Sequence, residues 1–302
     1  MEKSLDVSVI IVNYNTMELT RNCLKSVFDK TSGISFEVIV SDNGSKDGSV
    51  EMIKSEFPQV RLIENNANLG FGAANNRGLK MAKGKYIFYL NSDTVLLNNA
   101  VRIFFDYWEN SPEKEKIGAL GCVLQDEDGS LIHSGGEFPK YKSVCRERFS
   151  ELVHSCAKYL FLKLHLEKLY PAARKKIRGE QVISGEVDYV TGADLFMLND
   201  RFAEFDERFV LYYEETDLQK NLHNQTGKKS ILIDEPKVIH LLHKARTEKI
   251  RFETFSTFHN KLSSVLYFEK YGKKTRFLNF LNKIIFLLPP NKKWRKEYKE
   301  AI

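Results

Sequence analysis

Two acidic segments carry residue types and spacings that could do chemistry. In Leu90-Asn91-Ser92-Asp93-Thr94, Asn91 and Asp93 stand two apart, so in extended backbone their side chains share a face. One oxygen of Asp93 suits Mg²⁺ or Mn²⁺, with diphosphate and water supplying the remaining ligands. Such an ion neutralises a departing nucleoside diphosphate. In Tyr212-Tyr213-Glu214-Glu215-Thr216-Asp217, three carboxylates fall within four positions beside two aromatics. Glu214 and Asp217, at i and i+3, lie on one helix face, while Glu215 points elsewhere. A solvated acidic patch is the ordinary reading of such a run. Aromatic flanks and crowded like charges suggest instead a partly dry site where one carboxylate has a raised pKa, as a general base requires. His240 follows the strand-like Val238-Ile239 and is a further candidate ligand. A lone His is more often structural, and His243 lies three residues on, so the choice between them stays open.

Asp42, in Asp42-Asn43-Gly44-Ser45, could accept the imide N–H of a pyrimidine base or a ribose hydroxyl, although the same tetrapeptide is ordinary turn chemistry. The stretch from Asn68 through Gly70 and Gly72 to Asn76 is only superficially a dinucleotide fingerprint. Asn75 stands where a third glycine belongs, and the stretch follows the third strand rather than the first, which argues against a dehydrogenase. Its two glycines before a helix start still permit close backbone approach to a ligand.

The elements that must position these residues follow from periodicity. Residues 7–12 (VSVIIV) read as a strand covered on both faces and ending in Asn13-Tyr14-Asn15. Helical spacing over 18–30, strand 36–41, a helix near 47–56, strand 60–64, a helix over 73–82 and strand 86–90 follow in turn. This alternation predicts an open α/β sheet. In such sheets ligands bind beyond the carboxyl ends of the strands. Asn13 to Asn15, Asp42 to Ser45 and Asn91 to Thr94 all fall there. Further on, residues 118–124 and 131–136 suggest a strand and hairpin around Asp128-Gly129. Residues 147–178 read as helices, 187–191 as a strand, 213–222 as a helix, and the chain from 252 onward as helical, broken at Pro289-Pro290.

Composition bounds the rest. The 302 residues are 42% hydrophobic and 28% charged, as in a folded chain with one large core. The four cysteines form no metal-binding or paired pattern and read as reduced, mostly buried thiols of a cytosolic protein. The N-terminus lacks the features of a signal peptide, and no apolar run approaches the roughly 20 residues that span a bilayer. The net charge of +6 is uneven: from Lys244 to Ile302 there are fifteen Lys and Arg against five Asp and Glu. The apolar stretch 278–288, with Phe277 before it and Lys292, Lys293, Trp294, Arg295 and Lys296 after it, suits shallow insertion into an anionic leaflet. Packing against the rest of the chain is the competing reading.

Taken in order, VSVIIVNYN (7–15), VSDNGSKDGS (40–49), NANLGFGAANNRGL (66–79), YLNSDT (89–94), VTGAD (190–194), FDERFVLYYEETDL (205–218) and VIH (238–240) resemble family 2 glycosyltransferases. The nearest branch is similar to bacterial rhamnosyltransferases of cell-surface polysaccharide synthesis. The resemblance covers roughly residues 5–245. It implies a GT-A fold, an open, mostly parallel nucleotide-binding sheet flanked by helices, spanning 1–245 with a helical insertion at 140–186. A basic helical extension would occupy 246–302. It further implies that Asp42 contacts the nucleoside, and that Asn13, Asn15, Asn68, Gly70, Gly72, Asn76, Ser92 and Asp194 line the donor pocket. Asp93 and His240 would hold Mg²⁺ or Mn²⁺, Glu215 would be the general base, and Asp217 would orient its helix or the acceptor, next to Glu214. Two departures from the family pattern stand out: Asn91 replaces the first Asp of D-x-D, and the base position carries Glu rather than the commoner Asp. Asp194 also stands where many such relatives have a small or apolar residue.

The implied reaction is a single in-line displacement that inverts the anomeric carbon. A sugar, with rhamnose as the candidate, would pass from a nucleotide diphosphate to a glycan or polyprenyl-linked acceptor on the cytoplasmic face of a membrane. A sugar nucleotidyltransferase would instead show a glycine-rich basic loop directly after the first strand, which Asn13-Tyr14-Asn15-Thr16 does not. A binding-only homologue would keep Asp42 and Asp93 without turnover. No nucleic-acid-binding signature accompanies the basic tail.

Overall fold

The computed structural model describes residues 5–165, 184–241, 254–291 and Trp294. The chain divides into two compact units. The first comprises residues 1–138, 180–210 and 214–245, and the second residues 139–179, 211–213 and 246–302.

The first unit is built on β1 (Leu5–Asn13), α1 (Met17–Lys30), β2 (Phe36–Asp42), α2 (Ser49–Glu56), β3 (Arg61–Glu64), α3 (Phe71–Leu79) and β4 (Gly84–Asn91). β5 (Thr94–Leu96), α4 (Ala100–Asn110), β6 (Ile117–Cys122) and β7 (Gly135–Gly136) follow. After α5 (Tyr141–Lys163), which belongs to the second unit, come β8 (Gly185–Val187), β9 (Tyr189–Val190), β10 (Asp194–Leu198), α6 (Glu214–Thr226), β11 (Lys229–Ile233) and β12 (Val238–His240). The main sheet runs β3-β2-β1-β4-β10-β6-β11-β8. β1 to β4 are mutually parallel, as the alternating pattern predicts, whereas β10 runs antiparallel to both β4 and β6.

Alternation along the strands sorts the core into two layers. Val7, Val9, Ile11, Val38, Val40, Phe88 and Leu90 face Cys23, Leu24 and Val27 of α1, Met52 of α2, and Phe104 and Trp108 of α4. Ile10, Ile39, Ile87, Tyr89, Leu195 and Met197 face the other side, with Leu218 and Leu222 of α6. α4, β5 and β10 are among the elements without a counterpart in the sequence reading. The expected hairpin at 131–136 is reduced to an isolated bridge between Gln125 and Leu131 and the two-residue β7, although the turn at Gly129 forms. The cysteines are free, with Cys156 exposed and the other three buried.

The second unit contains α5, α7 (Phe255–Lys270) and α8 (Arg276–Leu287), the last ending at Pro289-Pro290 as expected. α8 is two-faced. Leu281 and Ile285 bury against Leu152, while Phe277, Phe280 and Leu287 stand exposed. Trp294, expected beside a membrane, is instead 7% exposed and stacked on Phe258 at 4.9 Å. Its large apolar ring gains more from this core than from water. Lys292, Lys293, Arg295, Lys296 and His243 lie outside the described residues. No helix among the described residues is long and apolar enough to cross a membrane.

Candidate active site

The carboxyl ends of β1, β2 and β4 meet in one network of polar side chains. Asn13 is fully buried, and its Nδ2 donates to Asp42 Oδ2 at 2.6 Å and to Ser45 Oγ at 3.0 Å. Its Oδ1 accepts the hydroxyls of Thr16 and Thr20, both at 2.7 Å. Thr16 in turn pairs with Ser92 across 3.1 Å. Every polar atom of the Asn13 side chain is therefore used, which is what makes its burial tolerable. Asp42 is equally engaged, since Oδ1 accepts the backbone N–H groups of Gly44 and Ser45. The turn-forming role is thus what its geometry displays. Asn15, in left-handed backbone at φ 53°, accepts from Lys46 N and donates its own N–H to Ser45.

The glycine-containing stretch serves its own chain. Gly70 has φ 86°, and a Cβ there would sit 2.5 Å from the carbonyl oxygen of Val210. A Cβ at Gly72 would approach Phe205 Cβ at 3.0 Å. The close approach expected for a ligand is therefore made to residues 205–210. Asn76 is likewise buried, and it clamps Phe205 through its Oδ1 and Nδ2, each 2.9 Å from the backbone partner. Asn68 accepts from Gly70 N and from Asn43 Nδ2.

Asp93 and His240 do come together. β12 pairs antiparallel with β5, setting His240 opposite Thr94, and Leu241 N–H donates to the Asp93 carbonyl. This two-strand ladder brings His240 Nε2 to 3.2 Å from Asp93 Oδ1 and 3.3 Å from Asn91 Nδ2. Asn91 Oδ1 is buried with no hydrogen-bond partner. A carboxylate oxygen, an imidazole nitrogen and an orphaned amide oxygen form a donor set that suits a divalent ion completed by phosphate and water. The residues present therefore fit Mg²⁺ or Mn²⁺.

Asp194 is fully buried between β4 and β6, its Oδ2 accepting Cys122 N–H at 2.6 Å and its Oδ1 unpartnered. Burial pushes its pKa up to about 6, against the lowering effect of the Cys122 hydrogen bonds and of His240. Asp194 therefore stands under the site rather than on its wall.

The acidic start of α6 joins the same edge through one short segment. The Ala193 carbonyl accepts Asn91 N–H, and the neighbouring Gly192 lies against Phe71 and Glu215, where an added Cβ would be 3.5 Å from Glu215 Cβ. Tyr212 and Tyr213 both adopt left-handed backbone, at φ 68° and 69°, directly before the helix. Such geometry is costly in bulky residues and is retained where the surroundings over-determine it. Glu214 is buried with Oε2 unpartnered, and burial, with the like charge of Glu215 beside it, raises its pKa well above the usual range. Burial raises Glu215 as well, while the adjacent N–H groups of its own residue and Thr216 partly offset this. Both carboxyls are thus shifted toward protonation, and Glu215 is the less buried of the two. Asp217 is buried on the helix, 2% exposed.

Gln219 was not singled out by its sequence context. It accepts Val190 N–H at 2.9 Å and donates to the Val190 carbonyl at 2.8 Å, fixing α6 to β9. Its only signal was a polar amide on the inward face of α6, one turn after Glu215.

Comparison with known proteins then decides the relationship. Residues 8–141 match the model of glycosyl transferase family 2. That segment belongs to the family. The chain is 27% identical over 226 residues to an N-acetylglucosaminyl-diphospho-decaprenol L-rhamnosyltransferase of Mycobacterium tuberculosis, covering 70% of this chain and 67% of that one. It is 25% identical over 265 residues to a chondroitin synthase of Pasteurella multocida, covering 82% of this chain and only 24% of that one. Among solved structures, a mannosyltransferase from Pyrobaculum calidifontis in complex with GDP-Man and Mn²⁺ superposes with a TM-score of 0.56 at 15% identity, over 99% of this chain and 74% of its own. GalNAc-T7 with UDP, GalNAc and Mn²⁺ gives 0.59 at 14%, over 100% and 55%. The fold is GT-A, as in these solved structures.

Proposed function

We propose that the chain transfers a sugar, with rhamnose the leading candidate, from a nucleoside diphosphate to an acceptor hydroxyl with inversion at the anomeric carbon. The observation that carries this reading is the meeting of Asp93 and His240 at an edge that the 191–193 segment joins to Glu215. The strand-end network of Asn13, Asp42 and Ser45 holds the loops against which a nucleoside would lie. Asp93 and His240, with Asn91, would hold Mg²⁺ or Mn²⁺, which when bound neutralises charge on the departing diphosphate. Glu215 takes the proton from the attacking hydroxyl, since a carboxylate whose pKa lies nearer neutrality is a stronger base while still ionised. Burial shifts Glu214 toward its neutral form, which lessens the negative charge beside Glu215. The in-line attack forms the new C–O bond as the bond to the diphosphate oxygen breaks, and the proton ends on Glu215.

The N-acetylglucosaminyl-diphospho-decaprenol in the mycobacterial relative's name supports a lipid-linked acceptor here. Exposed Phe277, Phe280 and Leu287 with Lys283 on α8, and exposed Phe149, Val153 and Leu160 on α5, support contact with an anionic membrane surface. The test is mass-spectrometric detection of transfer by the purified full chain from a panel of nucleotide sugars to a lipid-linked acceptor. Transfer that stops with chelator and returns with Mn²⁺ or Mg²⁺ is the expected result. Transfer undiminished in chelator would remove the metal from the account.

A further inference from the structure

Residues 211–213 belong to the second unit, although the chain on either side of them, Val210 and Glu214, belongs to the first. Within the second unit all three are held by one helix, α7. Ser263 Oγ donates to the Leu211 carbonyl at 3.0 Å, and Tyr212 and Ser256 share a hydroxyl contact of 2.6 Å. The rings of Tyr213 and Tyr267 lie 5.3 Å apart. Ser256, Ser263 and Tyr267 stand at i, i+7 and i+11 on α7, which is one helix face. Ser263 and Tyr267 are almost wholly buried there.

What these contacts hold is a conformation that tyrosine does not favour. Tyr212 and Tyr213 stand in succession at φ 68° and 69°, where a Cβ crowds the backbone and glycine or asparagine is the usual occupant. Two such residues in a row persist only when their surroundings over-determine them. The next residue, Glu214, opens α6. The Glu215 carboxylate folds back on the N–H groups of its own residue and of Thr216, so its place is set by the first turn of that helix. Further along, Gln219 clamps α6 to Val190, but that bond lies a full turn beyond Glu215. Upstream, the Val210 carbonyl accepts Phe71 N–H. Between these two anchors, the direction in which α6 starts depends on residues 211–213. We infer that Ser256, Ser263 and Tyr267 are positioning residues for Glu215, fixing the left-handed turn that aims the first turn of α6. The inference rests on the reading of Glu215 as the base. It gives the helical unit a part in turnover as well as in any contact with a membrane.

The experiment compares the full wild-type chain with Tyr212→Phe, Ser256→Ala, the two combined, and Ser263→Ala. Tyr212 is exposed and Ser256 half-buried, so the first two variants should fold even if Ser263→Ala does not. Hydrogen–deuterium exchange without any substrate reads the amides of residues 214–218. Each single variant should speed exchange there by roughly threefold to tenfold, the net worth of one hydrogen bond, and leave β1 and β4 unchanged. The combined variant should go no further than either single one, since both remove the same contact. With the donor and lipid-linked acceptor that support transfer, the single-turnover rate should fall by a similar factor while calorimetric donor affinity stays within about twofold. Ser256→Thr, which keeps the hydroxyl, should restore both exchange and rate. Unchanged exchange at the start of α6, or faster exchange with an undiminished rate, would overturn the inference. Faster exchange in β1 and β4 as well would mark a general loss of stability and equally overturn it. Wild-type transfer by Glu215→Gln would strike the base reading itself. A slow Glu215→Gln beside fully active Tyr212→Phe and Ser256→Ala would strike this inference alone.

Discussion

The ends of β1 and β2 and the start of α6 are both polar and buried, yet they are built on opposite terms. At the strand ends, Asn13 and Asp42 spend their hydrogen-bonding capacity on each other, on Thr16, Thr20 and Ser45, and on backbone N–H groups. At α6, Glu214 keeps a buried oxygen with no partner, and both glutamates are shifted toward protonation. A satisfied network fixes shape; an unsatisfied one stores a readiness to exchange protons. The metal-fitting group lies between these extremes, since Asp93 and His240 touch while Asn91 Oδ1 remains orphaned. The strand-end scaffold thus satisfies its own polar groups, whereas Glu214 and Asn91 each keep a buried oxygen without a partner.

This contrast can be broken most severely at the metal-fitting group. Asp93→Ala should cut metal-dependent transfer by at least about a hundredfold and weaken donor binding seen by calorimetry. His240→Ala should follow it. Donor affinity that stays metal-dependent in both variants would move the ion elsewhere.

The next effect is on stability. Gly70→Ala forces a Cβ toward the Val210 carbonyl at a positive φ, and should cost on the order of 2 kcal/mol or more in denaturant unfolding. Gln219→Leu strips Val190 of both its partners, and about 1–3 kcal/mol for each buried group left unpaired is the expected loss. If Gln219→Leu is neutral in stability and in turnover, α6 does not depend on that clamp.

A further effect, confined to one pH window, concerns Asp194. Asp194 has its pKa raised to about 6, so the native state holds this proton more tightly than the unfolded chain, whose Asp titrates near 3.9. Its contribution is full below about pH 4 and is lost as pH rises to about 6, a span of about 3 kcal/mol. In metal-free buffer Asp194→Asn should flatten this part of the stability profile. An unchanged slope between pH 4 and 6 would mean that Asp194 titrates normally.

Much of the first unit was legible because it repeats one pattern. Apolar runs such as 7–12 and 36–41, each closed by a polar turn, announce buried parallel strands, and the polar turns mark the ligand end of the sheet. β10 was not legible: DLFML is a five-residue apolar run with a charge at its head, which periodicity cannot tell from loop or helix. Only the fold shows it completing the sheet between β4 and β6. The pairing of Asp93 with His240 depends on a ladder of three residues per strand between segments about 140 positions apart, and no local pattern encodes that. Asn76 and Gly72 show a related limit, since a residue suited to close approach does not state what approaches it. Here it is residues 205–210 of the same chain. Trp294 shows the limit of composition, because a tryptophan amid lysines reads as a membrane anchor until its ring is seen against Phe258.

The most direct measurement of the account is the division between binding and turnover in Glu215→Gln. The amide keeps the shape of the side chain but cannot take the acceptor's proton. Donor affinity measured by calorimetry should therefore stay within about threefold of wild type, while the single-turnover rate falls by about 10²–10⁴-fold. Glu214→Gln, at the more deeply buried carboxyl, should retain most of the rate. Near-normal turnover in Glu215→Gln, with loss in Glu214→Gln or Asp217→Asn instead, would contradict the assignment of Glu215 as the base.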